Sequence, residues 1–189
     1  MTLLYLGVAL FALPHFFSSL LPGMRDRLSA RFGAMRYKGV YAVISWIGFG
    51  LMAWAYFQTR GSGEMLFTPK GGMKHATMGL ATLGMILIGA SHGKSHIKLW
   101  LKNPMSLGIA LWSVGHLLSV GVYAADWFWL CMLAVALVDI AASTLRGKSP
   151  HFQPQWSSDV KAVVAGLVLT ALLVFLFHPF ILGVKVIGS

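Results

Sequence analysis

The sequence predicts an all-α, polytopic integral membrane protein, a bundle of about six transmembrane helices with both termini on the non-cytoplasmic side. Three observations carry this expectation. Apolar residues make up 57% of the 189 and charged residues only 11%, against about 45–50% and about 25% in an ordinary soluble domain. The apolar residues arrive in blocks of about 18–22, the length that crosses ~30 Å of hydrocarbon at 1.5 Å per residue. The basic residues fall between the blocks, mostly on alternate connections. A soluble domain of this size leaves roughly a third of its surface exposed, so a mean hydropathy of +0.74 is best accommodated in lipid.

Six segments follow in order, at residues 2–21, 37–57, 75–91, 105–124, 127–145 and 161–183. The first is not a signal peptide: it lacks a basic start and a small-x-small cleavage site, and its apolar run continues past Pro14. It reads as an uncleaved span. The connections after the first, third and fifth segments hold eleven Lys and Arg residues, between Arg25 and Lys38, Lys94 and Lys102, and Arg146 and Lys161. The other side holds Arg60, Lys70, Lys74 and Lys185. The positive-inside rule puts the first set in the cytoplasm. Aromatics such as Tyr37, Trp54, Trp100 and Trp127 cluster near segment ends, as an interfacial belt requires. Small residues at Gly79, Gly84 and Gly89, and at Gly108, Gly115 and Ser119, are placed for close helix packing in a compact bundle, though glycine is common in membrane helices generally. No segment is polar enough for a second domain, so residues 1–189 form one transmembrane domain.

The net charge of +10 belongs to loops at a membrane surface, which favours lipid as partner over nucleic acid. The single cysteine, Cys131, lies inside an apolar block, so there is no disulfide framework and no Cys-x-x-Cys-His for covalent haem. Five acidic residues leave little for hydrolytic acid–base chemistry, and no phosphate-binding glycine loop or nucleophile elbow is present. Six spans also permit a small-solute transporter, which predicts broken helices, polar pore faces or internal repeats; no repeat is visible.

Ionisable residues inside a bilayer are expensive and are functional suspects by default. Three lie well within the expected spans: His15, His116 and Asp139. Counted from the cytoplasmic ends of their spans, the two histidines differ in depth by on the order of 7 Å. Two neutral imidazoles on facing helices at similar depth suit bis-axial ligation of a haem iron; a membrane histidine also serves simply to bond a neighbouring helix. Trp112 precedes His116 by one turn and Phe11 precedes His15, so each imidazole shares its face with a large ring. Ser19, one turn beyond His15, is placed to accept from the second ring nitrogen. Asp139 reads as a buried partner for a cation such as Arg146 or for a histidine, with a proton relay as the alternative. His92 and His96 have zinc-compatible spacing, but Lys94 and Lys98 flank them with no carboxylate or thiol nearby in sequence. A basic end that attracts lipid phosphate or haem propionates is the other reading of that stretch. His75 and His178 fall near span ends on the outer face, where a peripheral second site is the weaker alternative.

The stretch Leu13-Pro14-His15-Phe16-Phe17, followed by Pro22, Arg25 and the run from Gly33 through Tyr37 to Tyr41, resembles the opening of the NnrU family. The stretch Asn103-Pro104, then Gly108, Trp112 and His116-Leu117, is similar to that family's second signature. The resemblance covers most of the chain. It implies a bacterial inner-membrane protein linked to nitrite and nitric oxide metabolism in denitrification, and a kinship with 15-cis-zeta-carotene isomerases. Those isomerases use haem b held by two histidines, which the resemblance carries onto His15 and His116 as axial ligands, with Trp112 in the cofactor pocket. It leaves open a haem-dependent cis–trans isomerase acting on a polyene, and a ligand that is either apolar or a small gas. One position departs from the pattern: Asn103 stands where the family usually has histidine.

Overall fold

The structure, a computed structural model, describes residues 1–59, 63–70 and 72–187. Arg60, one of the basic residues expected on the outer side, lies outside them. Helix α1, Thr2–Leu20, stops before Pro22, whose ring disfavours helical backbone in the residue ahead of it and then opens α2, Pro22–Phe32, as a preset N1 residue. Gly33, at φ +89°, ends α2 and lets the chain turn into α3, Ala34–Thr59. There follow α4, Met73–Ala90, α5, His96–Leu101, α6, Pro104–Ser119, α7, Tyr123–Leu145, and α8, Trp156–Leu172. From α8 the chain continues without a break into a π-helical segment, Leu173–Ile181.

Five stretches are long and apolar enough to cross a membrane: α1, α3, α4, α7, and α8 with its π segment. Helix α6 spans 16 residues, about 24 Å of rise. It is shorter than the expected segment because the chain breaks at Val120–Gly121. Gly121 has φ +66°, and a Cβ there would lie 2.3 Å from the Phe67 carbonyl oxygen, so this corner needs glycine. The expected connections after the first and third segments contain helices of their own. Helix α2 carries Arg25, Asp26, Arg27 and Arg31 and buries none of its residues; α5 starts where the Ser95 hydroxyl accepts from the Lys98 amide at 3.1 Å.

The helices alternate in direction, so each end of the molecule gathers groups from several of them. At one end Tyr5 bonds Tyr123 through their hydroxyls at 2.7 Å. At the other, Ser19 of α1 and Asn103 and Ser106 at the start of α6 meet Asp139 of α7. Packing follows the order α3, α1, α7, α6, α4, α8, with α3 also touching α7. Among the described residues no Cα of α8 approaches α1, α3 or α7 within 8 Å. The expected compact bundle is therefore an open row with a three-helix core at one side. Leu4, Ala12, Met52, Ala124 and Cys131 form that core, while residues such as Trp46, 71% exposed, face outward. Lipid is as apolar as the core, so the apolar surface needs no further cover, and contact between helices depends on close fit.

That fit comes from glycine. A Cβ on Gly108 would sit 2.5 Å from the Gly84 carbonyl oxygen, and one on Gly48 2.5 Å from the Phe11 amide nitrogen. These positions press α4 onto α6 and α1 onto α3. Gly79, by contrast, faces open space. Overpacking a tight contact costs about 1–3 kcal/mol. Gly108→Leu is therefore expected to lower the thermal midpoint of the detergent-solubilised protein by roughly 3–10 °C, with Gly79→Leu leaving it in place; equal losses in the two variants would remove the close α4–α6 contact as the cause.

Candidate functional site

The Asp139 end is a closed hydrogen-bond cluster. Ser19 Oγ donates to Asp139 Oδ1 at 2.9 Å, and Asn103 Nδ2 and Ser106 Oγ each donate to Oδ2 at 2.7 Å. Asn103 also caps α6 by accepting from the Ser106 amide at 3.3 Å. Arg146 donates to the Ser19 backbone carbonyl. The expected ion pair between Asp139 and Arg146 is thus replaced by bonds from hydroxyls and an amide, which satisfy the carboxylate without bringing a second charge into lipid. Asn103, in the position where histidine was expected, still anchors this cluster.

Asp159 corrects the sequence reading. His96 has a carboxylate partner after all, because α8 brings Asp159 to it: His96 Nδ1 donates to Asp159 Oδ2 at 2.7 Å, and the imidazole stacks on Trp156 at 4.1 Å. A second buried carboxylate, Asp126, is 3% exposed, but it lies in the first turn of α7 and not within the expected span. Among the described residues no group of three or more His, Cys, Asp or Glu is arranged to hold a metal ion.

His15, His116 and His178 share one local device. Each Nδ1–H donates to a carbonyl of its own helix: Phe11 at 2.6 Å, Trp112 at 2.9 Å and Leu173 at 2.7 Å. This sets the tautomer and leaves Nε2 with its lone pair. The bond expected from His15 to Ser19 is not the one formed, because the Ser19 hydroxyl is committed to Asp139.

The structure does not bring His15 and His116 together. His15 stacks on Phe11 at 4.3 Å and leans toward Tyr41 of α3 at 5.1 Å. Among the described residues no Cα of α1 approaches α6 within 8 Å. Ser19 and Ser106 mark one level through their shared carboxylate. His15 stands four residues from it and His116 ten, so the two differ in depth by about 9 Å.

His116 instead faces a groove of about 180 Å³ at the opposite end of the bundle. Its ring stacks on Trp129 of α7 at 4.0 Å and meets Trp112 edge-on at 5.8 Å. His178, on the π segment, faces the same groove with its ring centroid 6.3 Å from that of His116 and the planes 21° apart. Lys74, Thr77, Ser119, Thr170 and Lys185 add polar lining, and Met78 and Met85 add thioethers. His75, the other outer histidine, is not among the lining residues. The sequence reading missed His178 and Trp129 as companions of His116. A signal was present: each histidine stands five residues before a left-handed glycine, Gly121 at φ +66° and Gly183 at φ +65°. The two therefore occupy equivalent places at the ends of their helices.

A family model described as NnrU protein matches residues 3–186, nearly the whole chain. No curated protein and no solved structure matches it.

Removing the shared carboxylate at the closed end leaves three donors stranded in an apolar setting. Asp139→Ala is expected to destabilise the detergent-solubilised protein by about 1–3 kcal/mol, whereas Asn103→His, whose ring N–H can still reach the carboxylate, loses less than half as much. Thermal unfolding followed by size-exclusion chromatography measures both, and an unchanged midpoint for Asp139→Ala would show that the cluster contributes nothing to stability.

Proposed function

This chain belongs to the NnrU family, and on that premise we propose that it is an inner-membrane protein that binds haem b and serves nitrite and nitric oxide metabolism. In this reading α6 is also a span, the fourth of six in chain order, and the Asp139 end, toward which eleven basic residues lie, faces the cytoplasm. Both termini then lie on the other side.

The observation that carries the reading is the setting of His116. A haem ligand must be a neutral imidazole whose second nitrogen is held by a hydrogen bond. His116 has that bond to the Trp112 carbonyl, a ring stack on Trp129, and a groove in front of it. The residues present therefore fit haem on the side of His116. The groove's 180 Å³ is below the roughly 300–1,000 Å³ of pockets that enclose a ligand, so a macrocycle seated there would extend past the helices into lipid. When bound, haem supplies one-electron chemistry and an iron site for a small gas such as nitric oxide. The chain's own contribution is to fix the ligand's tautomer and orientation and to keep the surroundings apolar.

Protein purified in detergent from haem-replete cells is expected to show a Soret band in stoichiometric amount, and His116→Ala to abolish or shift it. A wild-type sample without the band removes the haem reading.

A second reading has its own observation. An apolar groove of about 390 Å³ runs between α1 and α3, lined by Leu10, Leu13, Phe17, Val40, Tyr41 and Ile44, beside the His15 helix face. Its shape suits an acyl or polyene chain, as a cis–trans isomerase of the zeta-carotene type requires. Co-expression with a pathway that makes poly-cis zeta-carotene distinguishes the two: the nitrogen-oxide reading expects an unchanged isomer ratio, and conversion of the 15-cis bond would transfer the assignment to the isomerase.

A further inference from the structure

We propose that the groove between α1 and α3 is a binding site for one phospholipid with an anionic headgroup, its acyl chain lying in the groove and its phosphate at the basic segment that joins the two helices. This goes beyond the haem reading and needs nothing from the groove of His116. The α1–α3 groove is lined by residues 9–17 of α1 and 37–44 of α3, and it has a polar end and an apolar end. Among the described residues that line it, only Tyr37 and Tyr41 carry a polar side-chain atom. Both belong to the end where Ser18 Oγ and the Tyr37 hydroxyl lie 3.1 Å apart. That bond is one residue from Ser19 and so stands at the level of the Asp139 cluster. Inward from it the lining passes through Leu13 to Leu10 and Ile44. The rise from Phe17 to Ala9 is about 12 Å, and one leaflet of the hydrocarbon is about 15 Å deep. An acyl chain that enters from the interface fits that depth, with its polar head left at the tyrosines.

Packing accounts for the groove. Helices α1 and α3 are pressed together at Gly7 and Gly48, where a Cβ would stand 2.9 Å and 2.5 Å from backbone atoms, and they are joined again at Ser18 and Tyr37. The lining residues fall between these two contacts. Gly39, the glycine of that stretch, would have nothing within 4 Å of an added Cβ. Leu13 and Val40 line the groove while remaining exposed, so it opens toward lipid.

The charge lies at the matching end. Between Leu21 and Tyr41 the chain carries five Lys or Arg residues against one Asp. Arg25 is paired with Asp26 at 2.8 Å, and among the described residues Arg27, Arg31, Arg36 and Lys38 form no ion pair. Arg36 and Lys38 flank the lining Tyr37 and are exposed. Helix α2 carries the arginines before them. Its apolar Met24, Leu28 and Phe32 recur every fourth residue, and none of its residues is buried. At about 100° per residue Arg25 falls on one side of that stripe and Arg27 and Arg31 on the other. A helix so built lies in the membrane interface, with its stripe in the acyl boundary and its basic groups among headgroups. A basic cluster of this size beside a span attracts anionic lipid. A zwitterionic headgroup brings its own ammonium to the same place and gains less.

The test uses the full chain, purified in detergent, washed free of lipid and mixed with equal amounts of phosphatidylglycerol and phosphatidylethanolamine that share their acyl chains. Native mass spectrometry counts what stays bound. Wild type is expected to retain one phosphatidylglycerol, preferred over phosphatidylethanolamine by about tenfold. Val40→Trp, which fills the groove from a position 61% exposed, should cut that occupancy by about tenfold. Val43→Trp, 58% exposed on the same helix and not among the lining residues, should leave it unchanged. Arg36→Gln combined with Lys38→Gln should lower the preference to about twofold, and it serves where Val40→Trp fails to elute as a single species. Equal retention of the two lipids by wild type, equal occupancy in the two tryptophan variants, or an undiminished preference in the glutamine variant overturns the site. Protein from cells that make poly-cis zeta-carotene, carrying the polyene in place of phospholipid, also overturns it and gives the groove to the isomerase reading. The Soret band of the same samples bears on the haem reading alone.

Discussion

Hydrocarbon offers no hydrogen bonds, and most of what is specific in this structure follows from that constraint. Each polar atom within a span must find its partner inside the protein. The three half-buried histidines turn one nitrogen back onto their own helix, and so do hydroxyls such as Thr82, bonded to Met78, and Ser113, bonded to Ile109. Asp139 draws donors from α1 and α6 at once and so ties together helices that otherwise do not touch. Lipid also removes the usual reason for apolar surfaces to meet. Glycine lets backbones approach closely at Gly84 with Gly108 and at Gly7 with Gly48, while α7, which has none, packs on its neighbours through residues such as Ala124 and Cys131.

An open row of helices is the natural outcome. With no gain from closing into a ring, α8 needs contact only with α4 and the short helix α5, and the space between it and α6 persists as a groove. Helix α7 holds a central place, packing on α1, α3 and α6. It supplies the two groups around which the ends are organised: Asp139 at one end and Trp129 behind His116 at the other. The position of the groove is therefore a consequence of packing order, with the corner at Gly121 fixing where α6 stops and hence how near its end His116 lies.

The spans were legible because their signal is a sum over twenty apolar residues, insensitive to any one of them. The observed helices at Thr2–Leu20 and Tyr123–Leu145 sit within a few residues of expectation. Helices α2 and α5 were not legible, since a polar helix at a membrane surface reads as a connection. The candidate site was half legible. His116 stood out by its depth, but a partner is chosen by rotation about the helix axis and by which helix lies alongside, and neither is written in hydropathy. Depth and the family resemblance paired His116 with His15; packing order puts α7 between their helices and places the His178 ring beside that of His116. For the same reason Asp159, 63 positions from His96 in sequence, could not be foreseen as its partner.

The two ends of the molecule are asymmetric in a way that bears on function. At the Asp139 end, acceptors meet donors from three helices, and Arg146 adds a bond to the Ser19 carbonyl. At the groove end, His116 and His178 hold back one lone pair each, and among the described residues neither Nε2 receives a hydrogen bond. Among the described residues the buried side-chain polar atoms left without a partner are Ser45 Oγ and Asp126 Oδ1, so the second nitrogens of the two groove histidines are not among them. Tying α6 to the π segment would require a bond between the two imidazoles, which their shared tautomer cannot make: each has spent its only N–H on its own backbone. What remains is a pair of imidazoles that line one groove, each holding one nitrogen back from its own backbone.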